Sequence, residues 1–169
     1  MLDHAEPLDA CTDSCVLINL AHVSRLDLLG QIENMTFHVP REVMAEINEP
    51  GQAEKVESAI REGALRMLKM TDAGELRMLA EYAERFGKGE SACLAVASSR
   101  GWVVATDETK GRRLIKELAG NGIKIINTPG ILLQAIRQRV LSVEDADQIK
   151  GELEGKRFRM SFKSFRELV

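Results

Sequence analysis

Aromatic side chains are scarce in this chain: one Trp, one Tyr and five Phe among 169 residues. A core built from it has to be mostly aliphatic. Cysteine is rarer still, and Cys11, Cys15 and Cys93 form an odd count without a CxxC pair. That pattern argues against a disulfide framework and suits a reducing cytoplasm. Reading Cys11 and Cys15 as a metal pair is weaker than reading them as small buried apolar residues. No apolar run approaches the roughly 20 residues of a membrane span. The opening stretch, MLDHAEPLDA, lacks the basic and apolar regions of a signal peptide. Positive charge is not in excess either: 23 Lys and Arg stand against 26 Asp and Glu, a net charge of -3. This balance excludes a simple basic coat for nucleic acid, but not nucleic-acid chemistry assisted by a bound cation.

Several site signatures are missing as well. GKGE lacks the GxxxxGK[ST] spacing of a phosphate loop, and AGNG lacks a dinucleotide fingerprint. His4, His22 and His38 are scattered, and Ser14, Ser91 and Ser142 show no readable partnership with a His and an acid. There is no fixed-period repeat and no low-complexity tract.

What is present is alternation. Leu8 to Thr12 reads as a strand, residues 16–32 as a helix, and MTFHVP as a strand closed by Pro40, which also suits the start of the helix REVMAEI. Helix resumes over residues 53–60, and a short apolar piece follows at 65–70. Asp72 is placed to cap a helix over residues 72–86 with Leu76, Leu79, Ala80 and Ala83 on its inner face. The Leu and Met stripe of residues 65–80 reads as core. GKGESACLAVASSRG is a helix between glycines, and WVVATDE is the strongest strand. RRLIKELAGNG is a helix, KIINTPG a strand, and ILLQAIRQR a helix again. Strands alternating with helices predict an α/β fold with a central parallel sheet flanked by helices. Ligands of such sheets bind beyond the carboxyl ends of the strands.

Two apolar runs meet the same Thr-Asp pair: Thr12-Asp13 and Thr106-Asp107. Each Asp has an ordinary use as a helix cap worth about 1 kcal/mol. Glu90 would suit a helix N-terminus, and Glu46 taken alone reads as a solvated surface charge. Together they carry more. Several carboxylates at one sheet edge repel one another and lose hydration, and a divalent cation removes that penalty. Oxygen ligands suit Mg²⁺ or Mn²⁺, and no Cys/His spacing here favours zinc.

The segments TDSCVLINL, VPREVMAEI, GKGESACLAVA and VVATDETKGRR, in that order, resemble the motifs of PIN-domain proteins. The nearest likeness is to stand-alone prokaryotic PIN proteins, whose GxGE motif and FR-S tail resemble residues 87–90 and FRMS at 158–161. The resemblance spans about residues 8–169. It implies a single PIN-like domain over residues 1–169 with an acidic pocket and metal-dependent ribonuclease activity. It also implies that Asp13, Glu46, Glu90 and Asp107 are the four acids in order, with Glu108 the neighbouring acid and Ser14 the small hydroxyl beside the first. Many relatives are toxin ribonucleases paired with an antitoxin. Two features depart from the family pattern: LDACT is less apolar than the usual first strand, and the third acid is Glu where Asp is common.

The expectation is therefore hydrolysis of RNA phosphodiester bonds by metal-activated water. Asp13, Glu90 and Asp107, with Glu108, are the expected metal ligands. Glu46 and Glu108 complete the pocket or orient the water. Candidate substrate contacts are Ser14, Arg112, Arg157 and Arg159. The candidate partners are RNA, a protein antitoxin and a second copy of the chain, with no membrane. Two other readings stand beside this one: a non-catalytic RNA-binding or protein-partner module, and an aspartyl-phosphate phosphatase with Asp13 as nucleophile. The tail, residues 150–169, interleaves Lys156, Arg157, Arg159, Lys163 and Arg166 with Phe158, Phe162 and Phe165. A terminal helix docking its Phe and Leu side chains is the favoured reading. Contact with phosphates and bases is the second, and the two are compatible.

Overall fold

A computed structural model describes residues 6–108 and 112–169, the side chains of Arg112 and Arg113 excepted. His4 lies outside the described residues. Five strands form one sheet: β1 (Leu8–Thr12), β2 (Met35–Pro40), β3 (Arg66–Leu68), β4 (Val103–Ala105) and β5 (Ile125–Ile126). Their order is β3-β2-β1-β4-β5 and every pairing is parallel. The strand LDACT, poor in large apolar residues, is the central one. Ala10, Cys11 and Thr12 are consecutive and all fully buried, which is possible only where both sheet faces are covered. Small side chains there let helices close in from both sides. The two edges are strands of three and two residues, too short to template further pairing.

The helices are α1 (Ser14–His22), α2 (Leu28–Gln31), α3 (Arg41–Met44), α4 (Pro50–Arg61), α5 (Ala73–Ala83), α6 (Lys88–Arg100), α7 (Arg112–Gly120), α8 (Thr128–Arg137) and α9 (Val143–Gly155). The expected helix over residues 16–32 is in fact two. Ser24 takes a left-handed backbone (φ 52°), and the chain turns after α1. Apolar periodicity continued through the turn because Val23, Leu26 and Leu28 are buried on either side of it. Helix α6 runs between Gly87 and a left-handed Gly101 and is buried along Ser91 to Ala97. It is the central helix of the main core.

The inner face of α5 differs from the expected one. Leu76 is 44% exposed, and Ala80 and Ala83 are exposed too, whereas Glu75 is 2% exposed. The buried side is set by Glu75, which accepts two hydrogen bonds from Arg100 at 2.6 and 2.8 Å, with Met78, Leu79 and Tyr82 packed beside it. A charge with a bidentate partner can be buried, and apolar periodicity cannot register it. The stripe of residues 65–80 is accordingly only partly core: Leu65, Leu68 and Met70 are buried, and Met67 is 46% exposed.

A second apolar cluster joins α8, α9 and the tail through Leu132, Ala135, Ile149, Leu153 and Phe165. The tail is not a helix beyond Gly155. It is an irregular ribbon ending in a 3₁₀ turn at Phe165–Glu167. Phe158, Met160 and Phe162, alternate positions of an extended chain, pack against the cluster. Asp147 clamps the end by accepting from Ser164 Oγ (2.6 Å) and Phe165 N (2.8 Å). Replacing the fully buried Phe165 by Ala should cost about 3–5 kcal/mol, a fall in Tm on the order of 10 °C for a chain of this size. Thermal melts of both proteins check this; an unchanged Tm would mean that the tail contributes nothing to the fold.

Candidate functional site

The strand order reverses direction at β1 and β4: the chain runs outward from β1 to β2 and β3, then from β4 to β5 on the other side. A crevice forms at such a switch point, beyond the carboxyl ends of the strands. Asp13 follows β1 and Asp107 follows β4, so the repeated Thr-Asp pair brackets that crevice. The two strand ends are tied together, because Asp13 N donates to Ala105 O at 2.9 Å.

Asp13 is the N-cap of α1 and is 4% exposed. Its Oδ1 accepts from Ser14 N at 2.8 Å, and its Oδ2 accepts from Thr106 Oγ1 at 3.2 Å and Cys15 Sγ at 3.5 Å. Burial raises its pKa against the pull of these donors, and the charge of Glu46 raises it further. The capping role and the site role therefore coincide in one side chain.

Glu46 projects from the loop after α3. Its carboxylate, exposed at the rim, accepts from Gly89 N at 2.8 Å. A Cβ on Gly89 would stand 2.8 Å from Glu46 Cδ, so only glycine leaves room for this contact. Glu90, next along the first turn of α6, has its carboxyl pushed up by burial and then by the charges of Asp13, Glu108 and Glu46. Carboxylates from four separate segments thus act on one another.

Asp107 is the most firmly fixed of the acids. Its Oδ1 accepts from Thr128 N at 2.7 Å, and its Oδ2 accepts from Asn19 Nδ2 at 2.8 Å and from the Thr128 hydroxyl. It holds the start of α8 against α1. Glu108 N donates to Thr106 Oγ1 at 3.1 Å, which shapes the turn after β4. Cys15 sits among these groups and accepts from Asp107 N at 3.1 Å. Burial and the charges of Asp13 and Asp107 push its thiol up to about 12, so it stays a neutral thiol and is a poor soft ligand. The other two cysteines are free and face each other in the core, Sγ to Sγ at 3.5 Å.

Asp13, Glu46, Glu90 and Glu108 therefore act on one another at the crevice, with Ser14 beside the first, whereas the Asp107 carboxylate is turned to Asn19 and Thr128 and meets the group through Cys15. Arg157 and Arg159 line a groove that includes Asp107 and Glu108. The Arg112 side chain lies outside the described residues. Sequence reasoning passed over Asn19, Thr106, Thr128 and Gly89. Asn19 had a signal, as the one polar residue in the run Val16 to Ala21. Gly89 had one too, as the second glycine of GKGE, but its reason, a side chain 43 positions away, could not be read from it.

The family-implied cation can be weighed against this geometry. Among the described residues no three His, Cys, Asp or Glu side chains close together into a metal cage. The donors at the crevice are all carboxylate oxygens, and burial first, then the charge of their neighbours, raises Asp13 and Glu90. That fits a hydrated Mg²⁺ or Mn²⁺, which keeps several waters and takes one or two carboxylates directly. It does not fit zinc.

The pKa directions fix a stability trend. Asp13 and Glu90 are raised above their unfolded values, so their contribution is full below the unfolded pKa and is lost as pH rises through the folded one. Glu75, lowered by its hydrogen bonds from Arg100, behaves oppositely and loses its contribution as pH falls. Glu90→Gln should therefore gain on wild type in metal-free melts as pH climbs from about 4.5 to about 7. A constant difference in Tm between the two proteins across that range would show that the acids do not strain one another.

A family model for the PIN domain (DUF3368) matches residues 9–169. No curated protein matches the sequence. Among solved structures, VapBC-1 from nontypeable Haemophilus influenzae is similar with a TM-score of 0.51 at 11% identity, over 72% of this chain and 99% of that one. PAE2754 from Pyrobaculum aerophilum gives a TM-score of 0.49 at 15% identity, over 76% of this chain and 97% of that one. At 11% identity the likeness to VapBC-1 is one of fold.

Proposed function

The chain belongs to the PIN-domain family, and from that premise we propose that it is a metal-dependent endoribonuclease hydrolysing RNA phosphodiester bonds. The observation that carries the reading is the gathering of carboxylates from four segments at the sheet's switch point, where Asp13, Glu46 and Glu108 all act on Glu90. A soluble fold gains nothing from such repulsion unless a cation is to be held there.

In this reading Asp13, Glu90 and Asp107 hold Mg²⁺ or Mn²⁺ directly or through water. The cation supplies charge neutralisation at the phosphoryl group and a more acidic water. Asp107 is oriented for its part by Asn19 and Thr128, as a ligating carboxylate has to be. Glu46 is held on the Gly89 N–H through one oxygen and keeps the other for orienting the attacking water. Glu108 completes the negative wall. Ser14, beside the first acid, and Arg112, five residues after the fourth in sequence, remain proposed substrate contacts. The whole of residues 1–169 is taken as one PIN-like domain. The reading includes a protein antitoxin as partner, and self-association as a dimer, in the cytoplasm. No helix among the described residues is long and apolar enough to cross a membrane.

The phosphatase reading needs Asp13 as an exposed nucleophile. At 4% exposure, with both oxygens already accepting hydrogen bonds, it is poorly placed to attack phosphorus. A non-catalytic module is separated by experiment. Cleavage of single-stranded RNA should appear on titration with Mn²⁺ or Mg²⁺, vanish in chelator, and fall by several decades in Asp13→Asn. Losing a transition-state contact of several kcal/mol has that effect at about 1.4 kcal/mol per decade. Cleavage that persists in chelator, or in the variant, would sink the reading.

Glu46 has a sharper test. Gly89→Ala should push the flexible Glu46 carboxylate off its N–H, leave Tm nearly unchanged, and lower cleavage by about 10–100-fold. Full activity in that variant would remove Glu46 from the machinery.

A further inference from the structure

A groove of about 1160 Å³ leads away from the acids and is open to solvent. One wall is α7, with Ile115 and Lys116. The ribbon after α9 also lines it, with Arg157, Phe158, Arg159 and Phe162, as do Asp107 and Glu108 beside the acids. The volume exceeds the roughly 300–1,000 Å³ of a site for a drug-sized ligand, so it has room for a segment of polymer.

The chemistry along the groove is graded. Its far part carries cations: Lys116, Arg157 and Arg159 are exposed, and none of them makes an ion pair among the described residues. Its floor is apolar, because the alternate residues Phe158, Met160 and Phe162 are anchored on the second cluster while remaining half-exposed. Its near end is acidic. A polyanion is attracted at the far part without any metal and repelled at the near end until a cation is present.

The backbone adds an independent observation. Arg157 has φ 67°, and it closes α9 with the paired hydrogen bonds Arg157 N to Glu154 O (3.1 Å) and Phe158 N to Leu153 O (3.0 Å). This is the left-handed position after a helix, where glycine is the easy residue and a Cβ is strained. Gly63 and Gly122 fill the equivalent places after α4 and α7. Arg139 after α8 holds the same conformation away from the groove, so the backbone provides a matched pair and the lining of the groove carries the argument.

We propose that this groove is a track for an unpaired RNA strand, gripped at its phosphates by Arg157, Arg159 and Lys116, which delivers the strand to the acids. The proposal rests on the ribonuclease reading for what happens at the acidic end, but binding in the track is independent of it. The strand is unpaired because an apolar floor serves bases whose faces are free to stack, whereas a duplex keeps its bases stacked inside. A protein segment is the other occupant of such a groove, and the exposed cations without ion-pair partners that line it favour the polyanion.

Arg139 supplies the control. It too is left-handed (φ 60°) and closes α8 by the same pair of hydrogen bonds, to Ile136 O and Ala135 O, but it does not line the groove. Arg157→Gly and Arg139→Gly should both leave Tm unchanged or raised, because each relieves the same strain. Only Arg157→Gly should weaken binding.

The measurement uses the full chain in chelator, so that no cleavage intervenes. Labelled oligouridylate and oligoadenylate of about 12 nucleotides and an RNA duplex of the same length are titrated by fluorescence anisotropy, a length that spans several nucleotide sites. Both single strands should bind more tightly than the duplex. Removing one phosphate contact lowers the salt slope by about 0.7, which from a common limit near 1 M salt is about five-fold weaker binding at 0.1 M. Arg157→Gly and Lys116→Gln should each show this change, and Arg139→Gly should not. Equal affinity of wild type and Arg157→Gly, or equal affinity for strand and duplex, would overturn the track. No binding by wild type at low salt would overturn it too. A wild type that binds as stated but does not cleave with Mn²⁺ leaves the track standing and sinks the ribonuclease reading alone.

Discussion

Carboxylates brought together at the switch point between β1 and β4 repel one another, and much of the surrounding structure serves to hold them there. The backbone does the first part by tying Asp13 N to Ala105 O, so that two strands end at the same place. Side chains do the rest. Thr106 spans the two Thr-Asp pairs, giving a hydrogen bond to Asp13 and receiving one from Glu108 N. Thr128 and Asn19 fasten Asp107, and in doing so bind α8 to α1 across the crevice. Gly89 opens the space that lets a loop acid reach the first turn of α6. The site is therefore part of the skeleton of the fold, and loosening Asp107 would disturb helix packing as well as charge.

Much of this was legible in the sequence. The strand segments at Leu8, Met35 and Val103 and the helix between Gly87 and Gly101 follow from local signals such as apolar runs, capping residues, glycine punctuation and a repeated dipeptide, whereas the order of the acids came only from the family resemblance. The illegible parts share a cause, in that each depends on a partner distant in sequence. Helix α5 turns Glu75 inward because Arg100 lies 25 residues away. The break at Ser24 hides inside an apolar pattern that serves both sides of the turn. The tail reads as a helix from its mix of Lys, Arg and Phe, yet Asp147 and the second cluster hold it extended, with Phe side chains alternating inward. The burial of Asp13 and the company of Cys15 could not be read from spacing at all.

The acids also differ in what their surroundings allow. Asp107, with three donors on its two oxygens, is fixed in direction and suited to orienting whatever it binds. Asp13 is buried and hydrogen-bonded, so its charge is costly without a cation and its position is not free to vary. Glu90 is held up chiefly by burial and by its neighbours' charge, and a neighbouring positive charge would lower it. Glu in place of the family's more usual Asp lengthens this arm by one methylene.

One consequence concerns how an acidic protein can handle an acidic substrate. Net charge is -3, and the crevice itself is negative, so long-range attraction cannot bring RNA to the acids. Attraction has to be local and displaced from the chemistry. In the proposed reading the ribbon supplies it: Phe158, Met160 and Phe162 anchor on the second cluster, Arg159 between them is left exposed by the extended geometry, and Arg157 is exposed at the left-handed close of α9. The apolar anchors and the exposed cations are two sides of the same period-two pattern. The tail's docking and its candidate contact with phosphates are thus one arrangement, and truncating the chain before Arg157 would remove both together.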